Sequence, residues 1–392
     1  MTDLFNPTPE HRALRELVRS FAEREVDPQA EASDHAERFN IALFRRLGEL
    51  GLLGITVEER FGGSGLDAVA AVIAHEEISA ADPGLGLAFL AHSMLFANNL
   101  QVNGSDAQRA KYLPSASAGD KVCGMCMSEP SAGTDVLGMQ TSAVRRGDVY
   151  VLNGAKMWIT NGAVSDSELG DVFLVYARME GQGRNQLSMF IVEKGFRGFS
   201  LGQKIKGKLG MRASMTAELV FEDCEVPVEN LVGEEGTATL HMMRNLEIER
   251  LTLAAMSLGI ARRSLEVMNR YANERSSFGK PLREFGQIQR YIAQSYAEFM
   301  AGRTYTYYTA ATMSLETPGQ RLDTDGVKLF TSTMGKDIAD RAIQVLGGYG
   351  YVSEYGVERL WRDAKLLEIG GGTLEAHQKN MCRELGRTER IL

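Results

Sequence analysis

The chain is poor in cysteine: four thiols in 392 residues are too few and too scattered for a disulfide framework, which suits a reducing compartment. Cys123 and Cys126 form a lone C-x-x-C inside the apolar stretch Val122 to Met127, so they read as packing residues of a strand; no metal is expected. Long hydrophobic runs are missing too. The most apolar one, Leu85 to Ala97, is too short to cross a bilayer, is interrupted by His92 and ends at Asn98 and Asn99. It reads as a buried helix carrying a hydrogen-bonded core histidine. The amino terminus, Met1-Thr2-Asp3-Leu4-Phe5-Asn6-Pro7, has neither a signal nor a transit pattern, and the two absences together predict a cytoplasmic protein with no membrane partner. Acidic side chains outnumber basic ones, 51 to 43, and a net charge of −8 without a basic tail speaks against nucleic acid as a partner. No repeat or low-complexity tract stands out. The glycine run at 347–350 lacks the G-x-G-x-x-G spacing and follows a helical pattern, so it is no Rossmann fingerprint.

What is present changes its hydrophobic period twice. From Pro9 to about Gly119 it is helical, with Leu14, Leu17, Val18 and Phe21, then Phe44, Leu47 and Leu50, at spacings of three and four. From about Val122 to Pro227 strand-like runs take over, in Val149 to Leu152, Asp171 to Tyr176 and Ala217 to Phe221. After Gly236 long helical patterns return, broken by Pro281, Pro318-Gly319 and glycine clusters. The expected organisation is mixed α and β: an N-terminal helical domain over 1–121, a small β-barrel or sandwich domain over 122–235, and a C-terminal four-helix bundle over 236–392.

Two segments carry most of the chemistry: Met127-Ser128-Glu129-Pro130-Ser131-Ala132-Gly133-Thr134-Asp135 and Lys156-Met157-Trp158-Ile159-Thr160-Asn161-Gly162. Ser128, Thr134 and Thr160 bring small hydroxyl donors, Gly133 lets backbone approach a phosphate, and Trp158 offers a flat apolar face to a flavin ring. In order come the turn Phe61-Gly62-Gly63-Ser64-Gly65-Leu66, then Arg275-Ser276-Ser277-Phe278-Gly279-Lys280-Pro281-Leu282, Gln344 to Gly350, and Arg362-Asp363-Ala364-Lys365. Over nearly its whole length the chain resembles the acyl-CoA dehydrogenase family. That resemblance implies FAD, with Met127, Ser128, Gly133, Thr134, Trp158 and Thr160 on the flavin of the same subunit and Thr373 and Glu375 at its phosphate or adenosine end. It implies that Arg275, Phe278, Gln344 and Gly348 reach a neighbouring subunit's FAD, hence an obligate oligomer, a tetramer. One departure stands out: the family's Gln after the Phe that is Phe285 here is Gly286, with Gln287 one place later.

Oxidising an acyl thioester to its α,β-unsaturated form needs a carboxylate to take the Cα proton opposite the flavin. Most of the family supplies it from a Glu-Gly-Thr near the carboxyl end, but the matching triplet here is Gly371-Gly372-Thr373. The resemblance implies that the substitute is Glu249, in Asn245-Leu246-Glu247-Ile248-Glu249-Arg250-Leu251. At about 100° per residue it shares a helix face with Leu246, Leu253 and Ile260, and burial there should raise its pKa toward that of a useful base. The family branch acting on isovaleryl-CoA carries a similar string and relocated Glu; the long-chain branch shares the Glu. Gly370 stands where straight-chain enzymes usually have Tyr, which leaves lateral room for a short branched acyl chain. The resemblance further implies that Gly371 N–H and a flavin hydroxyl hold the thioester oxygen, that Arg250 meets the CoA arm, and that an electron-transferring flavoprotein takes the electrons. Another acyl group, or a flavin-binding protein associated with nucleic acid, are the rival readings.

Overall fold

A computed structural model describes residues 3–387 apart from 182, 316, 318 and 320, so Pro318 lies outside the described residues. Helices come first: α1 (Pro9–Phe21), α2 (Asp27–His35), α3 (Ile41–Glu49), α4 (Ala68–Ala81), α5 (Pro83–Leu90), α6 (Asn99–Asn103) and α7 (Asp106–Ser117). Local chemistry starts them. Thr8 accepts from His11 N–H with Pro9 in the first turn of α1, and Ser105 and Gln108 form a reciprocal capping box on α7. Val18 and Phe21 bury the expected face of α1, while Leu17, at the edge of that stripe, stays 44% exposed. The apolar run after Leu85 is buried, with wider π-type turns over Ala91–Asn98. Within it His92 Nε2–H donates to the Ala116 carbonyl at 3.0 Å, and Nδ1 accepts from Cys123 N–H at 3.1 Å. Burial holds this ring's pKa down to about 4, so it stays neutral and pins the end of α7 to the first strand.

That strand, β1 (Cys123–Cys126), opens a sheet with β2 (Ser142–Arg146), β3 (Val149–Thr160), β4 (Val172–Met179), β5 (Leu187–Glu193), β6 (Phe199–Lys204), β7 (Thr216–Pro227) and β8 (Leu231–Val232). The order is β6-β7-β3-β2-β4-β5-β8, with β1 on β4. β1 and β2 share one edge of β4 in succession, both parallel to it. Side chains of non-adjacent strands meet across the sheet: Tyr150 of β3 and Phe190 of β5 are not ladder neighbours, yet their rings lie 5.0 Å apart. Both C-x-x-C thiols are buried in β1 and pushed up in pKa by burial, which keeps them inert.

The last part is α8 (Ala238–Glu274), the hairpin β9 (Ser276–Ser277) and β10 (Lys280–Pro281), α9 (Gly286–Thr312), α10 (Arg321–Leu346), α11 (Gly348–Tyr351), α12 (Val357–Leu367) and α13 (Leu374–Leu385). α8 is buried at every position from Asn245 to Ala261, so it runs through the middle of the molecule and not along its surface. Gly259 explains how closely α4 crosses it, since a β-carbon there would fall 2.4 Å from the Glu76 carbonyl oxygen.

The loop after β1 is stapled to β3. Lys156, fully buried, donates from Nζ to Glu129 Oε1 at 2.9 Å and to the Met127 carbonyl at 3.1 Å. Glu129 also accepts from Thr141 N–H at 2.9 Å, and Met157 N–H bonds the Ser128 carbonyl at 2.9 Å. Burial would raise the Glu129 pKa, but the Lys156 ammonium and these N–H groups hold it below its usual range. Glu129→Leu leaves an ammonium buried without its partner. The expected loss is about 3–5 kcal/mol in chemical unfolding; a variant with the wild-type midpoint would show that the staple does not hold this loop.

Candidate active site

Two clusters define the site, one on the sheet and one on α8. On the sheet, β3 carries a bulge between Lys156 and Ile159, where it slips against β7. Trp158 sits in that bulge in the left-handed region, φ 65°, with its side chain 60% exposed. A large aromatic held strained and half in solvent points to something that covers it. Met127, Ser128 and Thr160 are half-buried around it, and Gly133 and Thr134 lie on the exposed loop. A β-carbon at Gly133 would meet nothing within 4 Å, so the backbone there is open to a ligand. This donor set, a flat apolar face with hydroxyls and free backbone beside it, fits a planar heteroaromatic ring with a phosphate tail. Asn161 locks the exit of the segment, donating from Nδ2 to the Ala88 and Cys123 carbonyls at 2.9 and 3.0 Å.

On α8, Glu249 is 7% exposed, and its Oε2 has no hydrogen-bond partner among the described residues. Burial pushes its pKa up to about 7 against the pull of Arg250 and Lys328. Facing it is the loop between α12 and α13. At Gly371, φ 67°, a β-carbon would lie 3.5 Å from Glu249 Oε1 and 2.2 Å from Leu253 Cδ1. Only glycine fits there, and the missing carboxylate of the loop is replaced in space by the one on α8. Gly370, by contrast, has ordinary φ, and its β-carbon would make van der Waals contact with Leu366 at 3.5 Å, so a side chain is sterically admissible there.

Arg250 differs from its expectation. One residue on from Glu249 it turns about 100° around the helix, and because α8 is buried on all sides that direction leads to α10. Its Nη1 pairs with Asp325 Oδ1 at 3.1 Å and its side chain is 7% exposed, which is no position for an open CoA contact. A small cleft opens one turn before Glu249 on α8. It is lined by Asn98, Arg244, Asn245, Glu247, Met313 and Thr317, and Asn245 is buried with its Nδ2 unpartnered among the described residues.

Arg275, Phe278, Gln344 and Gly348 are all exposed and lie at the far end of the bundle, where Tyr271 packs against Tyr349 and Tyr355. That end is roughly 40 Å along α8 from Leu246 by the helical rise, so these four stand well apart from Glu249 of the same chain. Phe278 is 95% exposed with φ 48°. Thr373 caps α13, accepting from Ala376 N–H at 3.3 Å, and Glu375 is exposed in its first turn. Gly286 begins α9 with open space where a side chain would be, and Gln287 beside it is exposed.

Sequence reasoning missed Lys156 and Glu129 as a pair, and missed Asp325, Lys328 and His377, which gather behind the Gly371 loop. Lys328 Nζ donates to the carbonyls of Leu367 at 2.5 Å and Gly372 at 3.1 Å. Each such pair joins segments far apart in the chain, so no local pattern announces it.

Known proteins place this arrangement. The N-terminal, middle and C-terminal domain profiles of acyl-CoA dehydrogenase match residues 8–120, 124–224 and 239–386 in turn. A mitochondrial isovaleryl-CoA dehydrogenase of Oryza sativa subsp. japonica is 42% identical over 98% of this chain and 93% of its own length. The butyryl-CoA dehydrogenase structure from Megasphaera elsdenii superposes with a TM-score of 0.91 at 34% identity, covering 99% of both chains. A glutaryl-CoA dehydrogenase of Mycobacterium smegmatis, solved in complex with FADH2, has a TM-score of 0.90 at 28% identity, over 98% of this chain and 96% of that one. No helix among the described residues is long and apolar enough to cross a membrane. With three matching domains in register along one chain, and an oxidoreductase chemistry acting on a CH–CH bond shared by its relatives, this protein belongs to the acyl-CoA dehydrogenase family.

Proposed function

We propose that the chain is an FAD-dependent dehydrogenase of a short branched acyl-CoA, converting isovaleryl-CoA to 3-methylcrotonyl-CoA in leucine breakdown. The observation that carries this reading is the buried, unpartnered Glu249 carboxyl facing a loop that has no acid of its own. Glu249 takes the proton from Cα, and its raised proton affinity keeps it basic enough to do so near neutral pH. Gly371 N–H donates to the thioester oxygen and holds the charge that grows there as the proton leaves. FAD bound against Trp158, Ser128, Thr134 and Thr160 supplies the two-electron acceptor for the Cβ side. Met127 and Gly133 shape the same seat, and Thr373 and Glu375 flank its phosphate or adenosine end. The CoA arm runs through the cleft beside Asn245, whose free Nδ2 suits the amide carbonyls of a pantetheine.

Gly370 leaves lateral room beside the acyl carbons, which supports a branched chain, as does the likeness to the isovaleryl-CoA enzyme. The butyryl-CoA likeness favours a short acyl group in any case. Electrons pass to an electron-transferring flavoprotein. The exposed Arg275, Phe278, Gln344 and Gly348 complete a neighbour's FAD site, which makes the working form a homo-oligomer, a tetramer, in the cytoplasm.

The substrate assignment is tested by Gly370→Tyr. The ratio of kcat/KM for isovaleryl-CoA over butyryl-CoA should fall by about 10- to 200-fold, since crowding by one side chain is worth roughly 1–3 kcal/mol. An unchanged ratio would place branch selectivity elsewhere.

The base assignment has a pH signature. Burial pushes Lys328 down to about 7 and Glu249 up to about 7, so the two titrate as a pair. kcat/KM should rise with pH through about 7, because only the carboxylate is active. Lys328→Met removes a cation that favours the carboxylate, so the rising limb should move to higher pH. Stability runs the other way: the folded-state pKa lies above the ordinary 4.5, so raising pH from there to about 7 removes stability, and Glu249→Gln should abolish that loss. A limb that stays in place in Lys328→Met would contradict the pairing.

A further inference from the structure

His377 is fully buried on α13, and each of its ring nitrogens faces an acceptor. Nδ1 lies 2.6 Å from Asp325 Oδ1, and Nε2 lies 3.0 Å from the Gly372 carbonyl oxygen. A neutral imidazole has one N–H and one bare lone pair, so it can satisfy only one of these contacts while Asp325 is ionised. Arg250 Nη1 lies 3.1 Å from the same Asp325 oxygen and Arg321 Nε 3.9 Å from the other, so Asp325 sits in an ion-pair cluster. The ring also lies under Gly372, where a β-carbon would fall 3.0 Å from His377 Cε1.

We propose that His377 is a positioning residue of this enzyme: a doubly protonated ring that bridges Asp325 to the Gly372 carbonyl and so fixes the loop presenting Gly371 N–H. The proposal rests on the reading of Gly371 as the thioester donor. Gly372 O then accepts two donors, His377 Nε2–H and Lys328 Nζ at 3.1 Å, which occupies both its lone pairs. On the other side of Gly371, Gly370 N–H is tied to the Leu366 carbonyl at 2.7 Å, so the donor is held from both flanks. The charged groups around the ring are Asp325, Lys328 and Arg321 from α10 and Arg250 with Glu249 from α8. Burial, with the cations Lys328 and Arg250, lowers the ring's pKa from its ordinary value, and the Asp325 carboxylate opposes them only in part. The two acceptor contacts decide the balance, because deprotonation would set a lone pair against an oxygen at one of them.

The test is solid-state 15N NMR of the flavin-loaded protein labelled at its six histidines, with His377→Gln identifying the signal. Two protonated nitrogens at pH 7 are expected, and Asp325→Asn should return the ring to one N–H. A bare nitrogen in the wild type overturns the proposal, because it would mean a neutral ring accepting from a protonated Asp325. In parallel, His377→Gln should lower kcat by about 10- to 100-fold through misplacement of the loop, with FAD content and KM for acyl-CoA nearly unchanged. Wild-type kcat in that variant also overturns it. If His377→Gln does not fold, Asp325→Asn carries both measurements, and a kcat at the wild-type level there counts against the proposal in the same way. Should the wild type oxidise no acyl-CoA at all, the functional reading fails while the NMR result still decides the state of the ring.

Discussion

α8 is buried on every side from Asn245 to Ala261, and the rest of the structure arranges itself around that constraint. An amphipathic helix can send its polar groups to water; this one cannot. Each polar atom on it must find a partner in a neighbouring element or remain unsatisfied at a cost of about 1–3 kcal/mol. Thr252 and Ser257 solve this locally by donating to the carbonyls one turn back. Arg250 solves it with Asp325 on α10. Among the described residues Glu249 Oε2, Asn245 Nδ2 and Arg250 Nε are left over, the first two one turn apart on the same face. Glu249 Oε2 and Asn245 Nδ2 bracket the path proposed for the acyl thioester.

The same constraint sets the chemistry. A carboxyl in water is a weak base, and a carboxyl sealed among Leu246, Leu253 and the Gly371 loop is a stronger one, because its charged form has lost its hydration. The cations nearby, Arg250 and Lys328, keep that effect in check, so the pKa settles near neutrality and not far above it. The position of the carboxyl on a central helix, and not on the loop, also frees the loop to be glycine at three consecutive positions.

Much of this was legible in the chain. The helical, strand and helical periods mark the layout because each part has a one-sided or closed core; Glu249 is legible through the family resemblance, while its spacing from Leu246, Leu253 and Ile260 says only that it lies on an apolar helix face. Strands such as β6, Phe-Ser-Leu-Gly-Gln-Lys, escaped notice because their outer face is polar and carries a glycine. Resemblance alone assigns Arg250 to the CoA arm, and only the fold shows that its side chain turns to Asp325 on α10. The Lys156–Glu129 staple and the Asp325–His377 contact join residues 27 and 52 positions apart, respectively, and such pairings exist only once the chain has folded.

The central claim is that the Glu249 carboxyl removes the Cα proton. It is tested most directly by loss of deuterium from Cα of isovaleryl-CoA bound to enzyme whose flavin has been reduced beforehand, so that only proton removal can occur. Mass spectrometry of the recovered thioester should show wash-out by the wild type and a rate lower by about 10²-fold or more in Glu249→Gln, with FAD and ligand bound equally well. Equal wash-out in the two proteins would contradict the account.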